Sequence, residues 1–282
     1  MQTQMKTLTT NEMKEVVALI RECEAYDNAS SCVQLDHALN GNPDMDSWFL
    51  TYRDSELAGL VSVFAPSRLE AELSICVAPS LREAGLANHL LKEATEHMRS
   101  NGVEVVLLVC DRKSEAGCRM AVRKCKEIQH TEYSLKLERP FVGFVGNRIT
   151  FREASMGDLP DIMKICISAY GEDDRDFHAF LRTSLTVKNR KGHIGYLDGI
   201  PAATCFLGFQ DDSVSINTVA VHKEMQGKGI ASEFLTGIIH MLEPKYPVIE
   251  LEVDSTNAAA YPLYRKLGFK EVRAVDYHIL NQ

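Results

Sequence analysis

The sequence of 282 residues lacks the features that mark several classes of protein. Its eight cysteines form no C-x-x-C pair, and the cysteines and nine histidines show no metal-ligand spacing, so neither a disulfide framework nor a metal centre is predicted. No segment approaches the ~20 consecutive apolar residues of a membrane span, and the N-terminus has no apolar run of signal type. The formal charge of −8 argues against a nucleic-acid surface. We therefore expect a cytoplasmic protein with reduced thiols and no metal, membrane or nucleic-acid partner, and its oligomeric state is left open.

An internal repeat is the main feature that the sequence does contain. Residues 82–87 and 226–231 both read R/Q-x-x-G-x-A after a strand-like run, and they are 144 residues apart. The same offset aligns TYRDSELAGLVSVF with GYLDGIPAATCFLGF, and MKTLTTNEM with ITFREASMGD. Each hairpin in these copies has a turn signal, Asp54-Ser55 or Asp198-Gly199. The Pro- and Gly-containing segment 139–148 reads as a linker. The sequence therefore predicts two domains, 1–142 and 147–282.

The second copy of the pattern indicates a phosphate site. It lies between the strand-like SVSINTVAV and an amphipathic helix, so its backbone N–H groups meet the positive end of that helix. Gly227 and Gly229 let an anion approach the backbone closely. Two other phosphate loops fit poorly. The lysine precedes Gly229, which is the wrong order for a nucleotide-dependent kinase, and Ser232 stands where a dinucleotide fingerprint needs its third glycine.

The Q-x-x-G-x-A pattern resembles the pyrophosphate loop of the GNAT superfamily of N-acetyltransferases. Residues 250–272 add to this resemblance with L-E-V at 251–253, Asn257, and L-Y-R-K-L-G-F at 263–269. Within the superfamily they are most similar to the ribosomal-protein alanine N-acetyltransferases. The resemblance implies an α+β fold of two tandem GNAT domains, each a twisted mixed sheet flanked by helices. It also implies acetyl-CoA as co-substrate, and the tandem architecture resembles that of mycothiol synthase.

On this resemblance, Glu252 and Tyr264 form the catalytic pair. An alkyl amine with a pKa of about 10.4 is only on the order of one part in a thousand neutral at pH 7, so a base must remove its proton. Glu252 would do so directly or through a water, and Tyr264 would protonate the leaving CoA thiolate. Glu250 and Asp254 share the strand face of Glu252, so the identity of the base among the three is open. Pro262 departs from the usual helical residue and leaves the aim of Tyr264 open.

The resemblance also implies which residues contact acetyl-CoA. Backbone amides of the loop would hold the pyrophosphate, and two residues of the preceding strand would pair with the pantetheine like an added strand. The predicted contacts are Val219, Val221, Gln226, Gly227, Lys228, Gly229, Ile230, Ala231, Ser232 and Asn257.

The first copy of the repeat lacks these side chains. Val109, Ser114 and Ala121 stand at the positions of the carboxylate, the asparagine and the tyrosine. Glu83 puts a carboxylate where the second loop has a glycine, which opposes an anion. We therefore expect an active C-terminal domain and a degenerate N-terminal domain that shapes the acceptor site.

The predicted activity is acetyl transfer from acetyl-CoA to a primary amine of a small molecule or peptide. Direct attack is expected, because the cysteines lie in apolar surroundings and no cysteine nucleophile is indicated. The alternative is a non-catalytic acyl-CoA-binding or regulatory protein. The acidic run 171–176 would favour a cationic amine if it faced the cleft, and is otherwise a solvated helix end.

Overall fold

The computed structural model describes residues 2–37, 40–42, 44–143, 146–171 and 175–281. The chain folds into two compact units, Met1–Glu132 with Ala274–Gln282, and Tyr133–Arg273. Its helices and strands are, in chain order, β1 (Gln2–Met5), α1 (Thr10–Asp27), β2 (Trp48–Arg53), β3 (Glu56–Phe64), β4 (Glu70–Val77), α2 (Leu86–Ser100), β5 (Val105–Asp111), α3 (Glu115–Lys124), β6 (Cys125–Leu137), β7 (Ile149–Glu153), α4 (Leu159–Tyr170), α5 (Arg175–Ser184), β8 (Arg190–Leu197), β9 (Ile200–Gln210), β10 (Ser213–Val221), α6 (Ile230–Leu242), β11 (Val248–Asp254), α7 (Ala260–Lys266) and β12 (Phe269–Leu280).

The first unit is a mixed sheet with a helix layer on each face. Its strands run in the order β1-β2-β3-β4-β5-β12, with β4 and β5 parallel and the other neighbours antiparallel. Leu90 and Met98 of α2 pack with Phe49 on one face of the sheet. Leu19 of α1 packs with Trp48 on the other. Apolar side chains thus alternate between the two faces of the strands, as a sheet covered on both sides requires.

The second unit repeats this arrangement. Its strands run in the order β6-β11-β10-β9-β8-β7, with β10 and β11 parallel. Helix α6 buries Phe234 and Ile238 against Leu251 on one face. Helix α4 buries Ile162 against Phe206 on the other face. The predicted fold, two tandem α+β domains with mixed sheets flanked by helices, is confirmed.

The last strand of the chain completes the sheet of the first unit. Residues 275–279 of β12 pair antiparallel with β5, and Tyr277 packs with Leu107 and Val109. Asp276 accepts hydrogen bonds from Arg112 Nε at 2.8 Å and from the Thr131 hydroxyl at 2.6 Å. The predicted ranges 1–142 and 147–282 follow the sequence repeat, whereas these contacts assign the last nine residues to the first unit.

The repeat in sequence is also a repeat in backbone conformation. Asp54 and Ser55 have φ of 50° and 68°, and Asp198 and Gly199 have 52° and 78°, as a two-residue type I′ turn requires at both central positions. A short 3-10 turn precedes each glycine loop, Pro79–Leu81 in one unit and Lys223–Met225 in the other. Each following helix begins after a left-handed glycine, Gly85 or Gly229.

Candidate active site

The two parallel strands of the second unit separate at the place where the site is predicted. The pairing of β10 with β11 extends from Ser213 and Val248 to Ile216 and Leu251, although both described strands continue. At this level β10 also carries a bulge, because it has one residue more than β9 between Asn217 and Ala220. Thr218 adopts a left-handed φ of 49° there. A bulge bends the strand and unpairs backbone groups, so it opens a gap next to β11.

The glycine loop lies directly beyond the end of β10. Gly227 and Gly229 have φ of 74° and 80°, a region that favours glycine. The first hydrogen bond of α6 runs from Glu233 N–H to Gly229 O at 3.1 Å, so the N–H groups of Ile230, Ala231 and Ser232 precede the helical ladder. A Cβ on Gly227 would meet no heavy atom within 4 Å. The loop therefore offers N–H groups and open space, which fits the pyrophosphate of CoA.

The strand edge predicted to pair with pantetheine already has partners for its carbonyl groups. The Tyr170 hydroxyl donates to Val219 O at 2.8 Å, and Gln226 Nε2 donates to Val221 O at 3.0 Å. His222 N–H pairs with β9, so the alternation of the strand turns the backbone groups of Val221 toward β11. Gln226 thus holds the loop against the strand end. The sequence gives no sign of the Tyr170 contact, since α4 is distant in the chain.

Tyr264 lies on α7, inside the hydrophobic cluster that contains Leu251. Its side chain is 6% exposed and its ring contacts Phe269 edge to face at 6.2 Å between centroids. Burial raises the pKa of Tyr264 to about 12, with a smaller contribution from nearby Cys205. Pro262 falls in the first turn of α7, where a backbone N–H has no helical acceptor, so the helix accommodates it.

Glu252 lies on the other face of β11. It is exposed, whereas its neighbours Leu251 and Val253 are buried on the side of Tyr264. Its carboxylate accepts a hydrogen bond of 3.3 Å from the Ser134 hydroxyl. Glu250 on the same face lies 3.6 Å from Lys136 Nζ. The exposed Glu252 and the buried Tyr264 therefore lie on opposite faces of β11.

Asn257, Lys228 and the acidic run are three other predicted features. The Asn257 side chain is exposed and its Oδ1 accepts the N–H of Ala260 at 3.1 Å, so it supports the turn that leads into α7. Lys228 is exposed and its Nζ donates to Glu224 O at 2.8 Å. Of the acidic run, residues 172–174 lie outside the described residues.

The corresponding loop of the first unit has the same backbone but other contacts. The Arg82 guanidinium donates to both carboxylate oxygens of Asp27 at 2.6 and 2.9 Å, and its Nε donates to Val77 O at 3.1 Å. Arg82 is therefore turned toward the protein. Glu83 takes a left-handed φ of 66° where the other loop has Gly227. Strand β4, all of which is described, pairs with β3 without a register shift, so this strand has no counterpart of the bulge in β10.

A cavity of about 70 Å³ lies where β4 and β5 separate in the first unit. Four thiols are among its lining groups, those of Cys23, Cys32, Cys76 and Cys110. A hydrogen bond from Cys76 lowers the pKa of Cys23, and burial raises the pKa of Cys110. Thiols thus line the place where the parallel strands of this unit separate, and a cavity alone does not identify the reacting site.

Within the described ranges, no three His, Cys, Asp or Glu side chains are grouped as metal ligands would be. In the same part of the chain, no helix is both long enough and apolar enough to cross a bilayer.

Both units match one protein family by sequence. Residues 13–125 and 159–269 each match the profile of the acetyltransferase (GNAT) family. The chain belongs to the GNAT family. GNAT proteins use acetyl-CoA, and the family fold supports acetyl transfer. The predicted tandem GNAT architecture is confirmed, while the likenesses to ribosomal-protein alanine N-acetyltransferases and to mycothiol synthase stay predictions.

Solved GNAT structures share this fold along nearly the whole chain. A GCN5-related N-acetyltransferase from Sphaerobacter thermophilus has a TM-score of 0.76 at 16% identity, with 99% of this chain and 95% of that chain covered. A tandem GNAT protein from the clavulanic acid biosynthesis pathway has a TM-score of 0.73 at 12% identity, with 100% and 99% covered. An acetyltransferase from Colwellia psychrerythraea has 0.65 at 15% identity, with 99% of each covered. Such identities show the fold alone. No curated protein matches the chain by sequence.

Proposed function

We propose that the protein transfers an acetyl group from acetyl-CoA to a primary amine of a small molecule or peptide, and that the second unit carries out the chemistry. The observation that supports this most is the separation of β10 from β11, because the pairing ends at Leu251, directly before Glu252, and β10 continues toward the glycine loop. The first unit has Val109 and Ala121 at the corresponding positions of its sequence.

The second unit would hold acetyl-CoA by its loop and strand edge. The N–H groups of Gly227 to Ser232, at the positive end of α6, would bind the pyrophosphate. The carbonyl groups of Val219 and Val221 already accept hydrogen bonds from side chains. The N–H groups of this strand edge would therefore bind pantetheine, and a hydrogen bond from pantetheine to Val219 O would first require Tyr170 to move. Acetyl-CoA, when bound, supplies a thioester whose carbonyl carbon accepts the amine.

Glu252 is our proposed base. Its exposed carboxylate can take a proton from an ammonium group directly or through a water, and the amine must lose that proton before it can attack. Glu250 on the same face has Lys136 as its ion-pair partner, and the family resemblance falls on Glu252. Glu252 and Tyr264 lie on opposite faces of the strand. Glu252 would therefore act on the amine from one side, and Tyr264 would act on the sulfur from the other.

Tyr264 would act on the leaving sulfur. Its pKa of about 12 keeps the hydroxyl protonated at neutral pH, ready to donate a hydrogen bond. A simple thiol has a pKa of about 8.5, so full transfer of this proton to the thiolate would cost roughly 5 kcal/mol. We therefore assign Tyr264 the role of stabilising the developing charge on sulfur by a hydrogen bond, with the thiolate taking up its proton later from solvent.

Release of the CoA thiol from acetyl-CoA, measured against a panel of amines, tests this function. We expect some amines to accelerate release, and the Glu252→Gln variant to lose that acceleration while it still binds CoA. If CoA binds but no amine accelerates thiol release at any pH between 7 and 9, the protein is the non-catalytic acyl-CoA-binding alternative. If CoA does not bind at all, both functions are wrong.

A further inference from the structure

The glycine loop of the second unit has a cationic neighbour that is not part of its sequence pattern. Arg148 lies just before β7, and its Nη1 donates to Lys228 O at 3.4 Å. An ideal Cβ on Gly229 would lie 3.6 Å from Arg148 Nη2. The guanidinium therefore touches the backbone of the loop, although the two segments are about 80 residues apart in the chain.

A nearly buried carboxylate fixes this guanidinium. The Glu233 side chain is 8% exposed, and it accepts hydrogen bonds from Arg148 N at 2.6 Å, Ile149 N at 3.1 Å and Arg148 Nε at 2.9 Å. Burial by itself raises the pKa of Glu233, but these N–H groups and the guanidinium outweigh it and lower the pKa below its usual value. Glu233 thus stays ionised at neutral pH and holds Arg148 in one orientation.

Half of the arginine side chain remains open to a ligand. The Arg148 side chain is 52% exposed, whereas that of Arg82 in the first unit is 21% exposed and donates through both Nη atoms to Asp27. A guanidinium is a planar donor that suits phosphate oxygens, and one that is already oriented loses little side-chain entropy on binding. The residues 144 positions before Arg148 and Glu233 are Gln4 and His89, so the first unit does not repeat this ion pair.

We propose that Arg148, oriented by Glu233, binds a phosphate group of CoA at the loop of the second unit. The inference rests on the proposed function, because it deepens the assignment of CoA to that loop. Arg148 would supply a fixed positive charge beside the backbone N–H groups. The phosphate is either the pyrophosphate or the 3′-phosphate, since the same chemistry recognises both.

Calorimetric titration of the full chain with CoA and with 3′-dephospho-CoA tests the inference. We expect Arg148→Gln to weaken CoA binding by about 10- to 100-fold, the size of one hydrogen bond between charged groups, and to leave kcat with acetyl-CoA within about twofold. If wild type and Arg148→Gln bind 3′-dephospho-CoA equally well, Arg148 binds the 3′-phosphate. If the variant still binds 3′-dephospho-CoA more weakly than the wild type, Arg148 binds the pyrophosphate. The control Arg152→Gln removes an arginine of β7 that pairs with Asp158, and should leave CoA affinity unchanged.

A structural role for Arg148 would give a different result in the double variant Arg148→Gln with Glu233→Gln. If Arg148 only neutralises a buried carboxylate, the double variant regains both thermal stability and CoA affinity. If Arg148 binds phosphate, stability returns but affinity does not. Unchanged CoA affinity in Arg148→Gln, or restored affinity in the double variant, overturns the inference and leaves the proposed function standing. If the wild-type protein binds no CoA, both the inference and the proposed function are wrong.

Discussion

The two glycine loops of this chain share a backbone conformation and differ in their side chains and side-chain contacts. Gly85 and Gly229 have φ of 83° and 80°, and each begins a helix after the same short turn. Yet the arginine of the first loop is bound to Asp27, while the glutamine of the second holds only a strand-end carbonyl. The fold therefore preserves the shape of a phosphate loop even where the side chains oppose a phosphate.

The strands before the loops differ as well. The bulge in β10 turns one backbone segment away from β9 at the level where β11 separates, whereas β4 keeps a continuous register with β3. A bulge leaves backbone groups unpaired, and a ligand can use them. The backbone shape of the loop is thus common to both units. The bulge and the side chains distinguish the unit that we propose to be catalytic.

Removal of the proposed base of the second unit should cause the largest change in activity. Glu252→Gln should lower kcat by about 10²- to 10⁴-fold, the usual contribution of a general base, with little change in KM for acetyl-CoA. The matched control is Glu250→Gln, which changes a carboxylate on the same face that pairs with Lys136. Equal losses in the two variants, measured by steady-state kinetics, would show that the face acts by its total charge and not through one base.

A pair of matched glycine variants compares the loops directly. Gly229→Glu should weaken CoA binding by more than about 100-fold, because a carboxylate would stand at the anion site. Gly85→Glu carries the same left-handed backbone strain, since both glycines have φ near 80°, and should leave the tight CoA affinity unchanged. Calorimetry measures both affinities. The assignment of the loops is reversed if the Gly85 variant is the one that loses binding.

The smallest expected effect concerns acid stability at a position where the units differ. Burial lowers the pKa of His37 to about 4, while the residue 144 positions later is the fully buried Leu181. A lowered pKa gives stability that is present above the ordinary value of about 6.5 and is lost as the pH falls toward 4. Between pH 7 and pH 4.5, the free energy of unfolding should fall in both proteins, and it should fall by about 2 kcal/mol less in His37→Leu than in the wild type.

Urea unfolding at the two pH values measures this difference. Ser62, the hydrogen-bond partner of His37 at 3.1 Å, also donates to Gln34 O at 2.9 Å, so the variant leaves it with a partner. Parallel loss of stability in wild type and variant would mean that His37 has no part in the acid response.

The elements that could be predicted from the sequence are those encoded by short patterns. The glycine loop, the two hairpin turns and the helix of Tyr264 depend on residues within a few positions of each other, so spacing was enough. The pairing of β12 with β5 joins residues more than 160 positions apart, as Arg112 and Asp276 do, and no local pattern encodes it. The same limit applies to Arg148 with Glu233. The only sequence signal of this ion pair is one acidic residue in a helix without any other Asp, Glu, Lys or Arg, because such a residue needs a cation from elsewhere when it is buried.

Counting the tight CoA sites of the full chain tests the central claim, that the second unit binds the acetyl donor and the first does not bind it comparably. Calorimetric titration with CoA should give one tight site per chain, or two of clearly different affinity, and the tight site should vanish in Gly229→Glu. Two equal sites, or a tight site that survives in Gly229→Glu, would contradict the account.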